Sequence, residues 1–213
     1  MSRVVAIADL HGNLPAGLPG GDVLVIAGDV CPLADHDPEF QAGWLERELY
    51  PWMASLPHEV VIWIAGNHDF VCELPKWEPA GRGHYLRDSR IELGGLSFYG
   101  TPWVPHLPRW AFHAGEEQLA SRMAAIPEVD VLISHGPPLG TGDRLARGGR
   151  AGSTALRTRL EEAPPQLCVF GHIHEDHGRW QQGAMTLANV AHVDADYRVR
   201  PNAVGVFEVK PSR

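Results

Sequence analysis

The chain has 213 residues, a formal net charge of −8, 44% hydrophobic and 21% charged residues, a composition that suits a soluble globular protein and excludes general attraction to nucleic-acid phosphate. A single domain over 1–213 is expected, because one core serves chains up to about 250 residues and no Ser- or Gly-rich linker divides this one. Cys31, Cys72 and Cys168 are odd in number and lack CxxC spacing, the first apolar run, Val4 to Ala8, is too short for a signal peptide, and no run approaches the ~20 apolar residues of a membrane span; a cytoplasmic protein is expected.

The first predicted strands are RVVAIAD (3–9) and DVLVIAGD (22–29). A helix follows over 37–53, with Asp37 as N-cap and Pro38 at its first position. Phe40, Trp44, Leu45 and Leu49 form its apolar face until Pro51 interrupts it. VVIWIAGNHD (60–69) is a third strand. RIELGGLSFYG (90–100) reads as a hairpin about Gly94-Gly95. Leu119, Met123 and Ile126 define a helix over 115–126, before a strand over 130–136, DVLISHG. Leu156 and Leu160 define a helix over 153–164 that stops at Pro164, before a strand over 166–174, QLCVFGHIH. Two more strands, 184–193 and 203–209, follow with no helix between them. Near-continuous hydrophobicity marks strands covered on both faces. Their alternation with helices predicts an α/β fold, and the strand-rich end predicts two sheets flanked by helices.

Five of these runs end in residues unwelcome in a core: Asp9 and His11; Asp29; Asn67, His68 and Asp69; His135; His172 and His174. Each alone is an ordinary turn residue. Together they point to one cluster, because ligands of open α/β sheets gather beyond the carboxyl ends of strands. Carboxylate, imidazole and amide oxygen without thiolate suit Mn, Fe, Zn or Co rather than a structural zinc site. Seven ligands, Asp9, His11, Asp29, Asn67, His135, His172 and His174, are too many for one ion; with one bridging carboxylate they divide four and four, as a two-metal site requires.

The motifs Asp9-Leu10-His11, Gly28-Asp29, Gly66-Asn67-His68-Asp69, His135-Gly136 and Gly171-His172-Ile173-His174 resemble, in kind and order, those of the calcineurin-like metallophosphoesterases. FYGTPW (98–103), SHGPPLG (134–140) and VFGHIHE (169–175) further resemble the metallophosphoesterase-domain-containing (MPPED) branch. The resemblance implies a four-layer α/β/β/α sandwich of two mixed sheets flanked by helices. It also implies one metal on Asp9, His11, Asp29 and His174 and a second on Asp29, Asn67, His135 and His172, with Asp29 bridging. The implied activity is hydrolysis of a phosphoester by a metal-bridging hydroxide, with Mn first among the metals and Fe, Zn, Co or Ni as alternatives.

His68 is expected to protonate the leaving group, with Asp69 orienting its ring. Trp103 and His106 are candidates for the leaving-group pocket. The loop over 139–153 carries Arg144, Arg147 and Arg150, of which Arg144 is a candidate substrate contact. His36, His58, His84, His113 and His177 read as surface residues. No Arg follows Gly28-Asp29 through residue 37 to grip a monoester dianion, so a small phosphodiester is expected, with cyclic nucleotides among the candidates. A phosphomonoesterase and a non-catalytic scaffold of the same fold are the alternatives. Neither a membrane nor a polymeric nucleic acid is expected as partner.

Overall fold

The computed structural model describes residues 1–105 and 107–211. Strands β1 (Ser2–Ile7), β2 (Val23–Ala27), β3 (Val60–Ile64) and β4 (His84–Tyr85) lie parallel in one sheet, which β11 (Gly205–Val209) extends antiparallel to β1, in the order β11-β1-β2-β3-β4. In the second sheet β6 (Leu96–Thr101), β7 (Val131–Ser134), β8 (Leu167–Phe170) and β10 (Met185–Asn189) are parallel, while β5 (Ser89–Leu93) and β9 (Gly178–Gln182) are antiparallel edges. Its order is β5-β6-β7-β8-β10-β9.

Strand alternation explains why the apolar runs are continuous. Val4, Ala6, Val25 and Ile62 face Phe98, Ile133, Val169 and Ala188 between the sheets. Their neighbours in sequence, among them Val5, Ile7, Leu24, Trp63, Leu132 and Phe170, pack in the layers that carry the helices, with Leu45, Leu49, Met53, Leu119 and Leu156. Each central strand is therefore dry on both faces. The result is an α/β/β/α sandwich, with α1 (Pro38–Trp44) and α2 (Tyr50–Ser55) in the outer layers together with α4 (Glu116–Ala124) and α5 (Thr154–Glu162), which pack on each other.

Pro51 does not interrupt its helix. Asp37 caps α1 through Oδ1, which accepts from Glu39 N at 2.9 Å and Phe40 N at 3.1 Å. The chain then passes through a π-helical stretch, Leu45–Leu49, in which the Tyr50 N–H reaches back to Leu45 O, and continues into α2. Proline lacks an N–H and its ring crowds the carbonyl four residues earlier. A wider turn placed just before it relieves both conflicts. Four short elements lay below sequence resolution: β4, β9, α3 (Phe70–Glu73) and a 3-10 turn, His174–Asp176. β9, GRWQQ, has no apolar alternation to reveal it and forms only because β10 offers its edge.

The two sheets touch at one end. Ala8 N–H donates to Val190 O at 3.0 Å, and His192 N–H donates to Ala8 O at 2.7 Å. That contact joins the carboxyl ends of β1 and β10. Asp9 follows immediately.

Candidate metal centre

The strands stop short of the polar residues, which occupy the turns after them. Asp9, His11, Asp29 and His172 have φ values of 54°, 43°, 53° and 67°. The left-handed region is costly for a residue with a Cβ, and such strain persists where surrounding structure over-determines it, as at functional sites. Backbone bonds lock the turns: Asp9 N–H to Gly28 O at 2.9 Å, His11 N–H to Asp29 O at 2.9 Å and Gly171 N–H to His135 O at 3.0 Å. Gly66 and Gly171 allow close approach, since a Cβ on Gly66 would collide with Asp29 Oδ1 and one on Gly171 with Asp9 Oδ2.

Asp9, His11 and His174 form one group whose ligand atoms all lie within 4.8 Å of one another, and Asp29, His135 and His172 form another by the same measure. A third group, His11, Asp29 and His68, overlaps both. Asn67 joins through Oδ1, 3.0 Å from His135 Nε2. All seven residues expected as ligands thus surround one centre, and Asp29 lies between the two halves: its Oδ2 is 3.3 Å from His135 Nε2 and 3.7 Å from His11 Nε2.

The donor atoms have the polarity that a cation needs. His135 Nδ1 is 3.0 Å from Ala27 O and His174 Nδ1 is 3.2 Å from Asp194 O. A carbonyl only accepts, so each Nδ1 carries the proton and each Nε2 turns toward the centre, the arrangement common in metal-bound histidines. Asp9 and Asp29 are buried, and among the described residues their ion-pair partners are all histidines. Burial alone would raise both carboxyls, yet His174 holds Asp9 below its ordinary range and His135 holds Asp29 well below it. Against its own burial, His135 is drawn up to about 9 by Asp29. Burial pushes His11 down to about 4, so it presents a neutral imidazole. Two dry carboxylates, met only by histidines and by the backbone N–H groups of His68 and His172 among the described residues, fit divalent cations.

His68 borders the same cleft, but Asp69 does not orient its ring. The Asp69 carboxylate is fully buried and accepts from Gly66 N at 2.8 Å, Cys31 N at 2.8 Å and Val30 N at 3.2 Å. It clamps the turn after β3 to the turn after β2, a role a carboxylate fills well because it accepts several bonds at once. The ring partner of His68 is His36, with Nε2 3.1 Å from His68 Nδ1. His36 is half-buried rather than on the surface, and His58, also expected there, is buried with Nε2 3.0 Å from Pro19 O. Gln41 of α1 secures the main chain here, donating to His68 O at 2.7 Å and accepting from Val71 N at 3.0 Å.

A cleft of about 250 Å³ opens over the centre, lined by Asn67, His68, Leu107, Trp110, His174 and Tyr197 among others. Trp103 is not among its lining residues. Its Nε1 donates to Asp88 Oδ2 at 2.7 Å and Arg122 stacks on its ring at 3.8 Å, so it is a packed core residue. His106 lies outside the described residues. Arg144 is not among the lining residues either; its Nε lies 3.6 Å from Asp176 Oδ2, and Arg150 pairs with Asp143. Trp110 and Tyr197 supply the aromatic walls instead. Neither stands beside a motif in sequence, so only chain folding could reveal them.

Residues 2–176 match the family model described as calcineurin-like phosphoesterase. The chain belongs to this family. Human metallophosphoesterase domain-containing protein 1 is 32% identical over 228 aligned residues, covering 92% of this chain and 68% of that protein, and the mouse protein of the same name matches equally. Among solved structures, the phosphopantetheinyl hydrolase of Mycobacterium tuberculosis superposes with a TM-score of 0.58 at 15% identity, covering 96% of this chain and 95% of that one. TT1561 of Thermus thermophilus gives 0.54 at 13%, covering 89% of each chain. At such identities the two superpositions establish the shared fold. Family membership and the Asp/His groups together support a phosphoric ester hydrolase with a metal-binding centre.

Proposed function

We propose that the chain hydrolyses small phosphodiesters at a dinuclear metal centre, with Asp9, His11, Asp29 and His174 holding one ion and Asp29, Asn67, His135 and His172 the other. Two divalent ions there, manganese first among them, would lower the pKa of a water nucleophile and neutralise the phosphoryl oxygens. The chain's own residues supply the rest. His68, beside the cleft, holds the proton that the leaving alkoxide takes. Trp110 and Tyr197 offer faces on which an aryl group or nucleobase can stack.

The observation that carries the diester preference is the charge of the cleft: its lining, among the described residues, includes Asp29 and Glu175 but no Lys or Arg. A diester monoanion needs no more than the metal ions. A monoester brings a second negative charge that would find no guanidinium to pair with. A scaffold reading fits poorly with a ligand set this complete.

The test compares kcat/KM for bis-p-nitrophenyl phosphate and p-nitrophenyl phosphate in protein loaded with Mn²⁺. The diester is expected to be cleaved faster, and the ratio should be the same in Arg144→Ala, since Arg144 does not line the cleft. A monoester preference would reverse the substrate assignment. Full metal occupancy with neither ester cleaved would favour the scaffold.

A further inference from the structure

We propose that His36 is a positioning residue for His68, fixing the tautomer in which His68 serves as proton donor; this rests on the reading above that His68 protonates the leaving group. The carboxylate expected to do this, Asp69, is committed to the N–H groups of Gly66, Val30 and Cys31. The acids that flank His36 are committed as well. Asp35 Oδ1 accepts from Asp37 N at 2.9 Å, and Asp37 Oδ1 caps α1. What faces His68 Nδ1 is the imidazole of His36, at 3.1 Å.

Aromatic rings hold the pair in place. Trp110 lies 4.3 Å from the His68 ring and 5.3 Å from the His36 ring, centroid to centroid, and Phe70 lies 5.3 Å from His36. Their rings restrict where either imidazole can swing. Between two imidazole nitrogens there is room for one proton only. A donor to an alkoxide must be the imidazolium, since a neutral ring that gave up its only proton would become an imidazolate. His68 therefore carries Nδ1–H directed at His36 Nε2, and its Nε2–H is the proton released. When that proton passes to the leaving oxygen, the Nδ1–H···Nε2 bond to His36 survives, and neutral His68 is left in the Nδ1–H tautomer until water returns a proton to Nε2. His36 neither gains nor loses a proton. It holds the ring so that the same nitrogen is always the one that donates.

Free imidazole side chains prefer the opposite, Nε2–H, tautomer, which makes the role measurable without turnover. In protein loaded with Zn²⁺, ¹⁵N chemical shifts should place neutral His68 in the Nδ1–H form. His36→Ala should move it toward Nε2–H at unchanged metal content, and His36→Gln, which keeps an acceptor oxygen, should restore Nδ1–H. In kinetics, His36→Ala should lower kcat about tenfold on an alkyl diester, the lower end of the loss seen when the hydrogen-bond partner of a metal-bound histidine is removed. KM and cleavage of p-nitrophenyl esters should change little, and His36→Gln should recover most of the loss. With the wild type active, an unchanged tautomer in His36→Ala, or equal losses on both leaving groups, would overturn the role of His36 alone. A metal-loaded wild type that cleaves no ester would overturn the phosphoesterase reading and this role with it.

Discussion

At the scale of single residues, the centre separates groups that would hold metal from a group that would move a proton. His68→Ala should leave metal content intact and lower turnover by about 10²–10⁴ on diesters with poor leaving groups. The p-nitrophenyl esters should lose less, because their leaving group departs without a proton; comparing the two losses checks the assignment. His135 sets a different pH dependence. Its folded-state value, raised to about 9 by Asp29 against the effect of burial, lies above the ~6.5 of a free histidine. In metal-free protein the pair thus contributes stability that is full below about pH 6.5 and is lost as pH rises through about 9. Metal competes with that proton for Nε2. Apparent metal affinity should therefore climb from pH 7 and level off above about 9, with proton release on binding, which calorimetric titration in buffers of different ionisation enthalpy would measure.

At the scale of elements, the turns after β2 and β3 act as one unit because Asp69 joins them. Asp69→Asn would give one oxygen the wrong hydrogen-bonding sense beneath three buried N–H groups. A loss of about 1–3 kcal/mol in unfolding free energy is expected, the cost of an unsatisfied buried donor, together with weaker metal binding. Any fall in turnover should be the same for good and poor leaving groups; denaturant melts and the leaving-group comparison distinguish this clamp from ring orientation. Gly66→Ala makes the complementary test. Its Cβ would collide with Asp29 Oδ1 and with the His135 ring, so metal stoichiometry measured by atomic emission should fall while far-ultraviolet dichroism stays near the wild type.

At the scale of the whole molecule, both sheets deliver their carboxyl ends to the same rim, where the β1–β10 contact at Ala8 joins them. Ions held by Asp9 and Asp29 from the first sheet and by His135, His172 and His174 from the second would tie the sheets together. Chelation should therefore lower Tm, and added Mn²⁺ should raise it with concentration, as for any ligand that binds only the folded state. A melt series across Mn²⁺ concentration checks this, and a Tm that ignores both chelator and metal would count against a centre spanning the sheets. No described helix is long and apolar enough to cross a membrane.

Local chemistry made much of this protein legible from its sequence. Apolar runs long enough for strands, caps such as Asp37 and Gly-flanked polar clusters each follow from interactions within a few residues, and they identified the two-layered strand pattern, the principal helices and all seven residues now gathered at the centre. What lay beyond reach depends on contacts between distant segments. β11 returns to pair with β1, and β9 exists by virtue of β10. Pro51 is the local exception, absorbed by a π turn immediately before it. Trp110 and Tyr197, not Trp103, flank the cleft. The neighbour of the His68 ring lay beyond reach because it depends on such distant contacts: adjacency in sequence placed Asp69 beside His68 and left His36 on the surface, but the backbone turn directs the Asp69 carboxylate down to Cys31 and Val30, while the loop after β2 brings His36 across to the imidazole. Sequence spacing determines which residue types a strand end presents; which of them touch is decided by the turns that aim them and the sheets that bring those turns together.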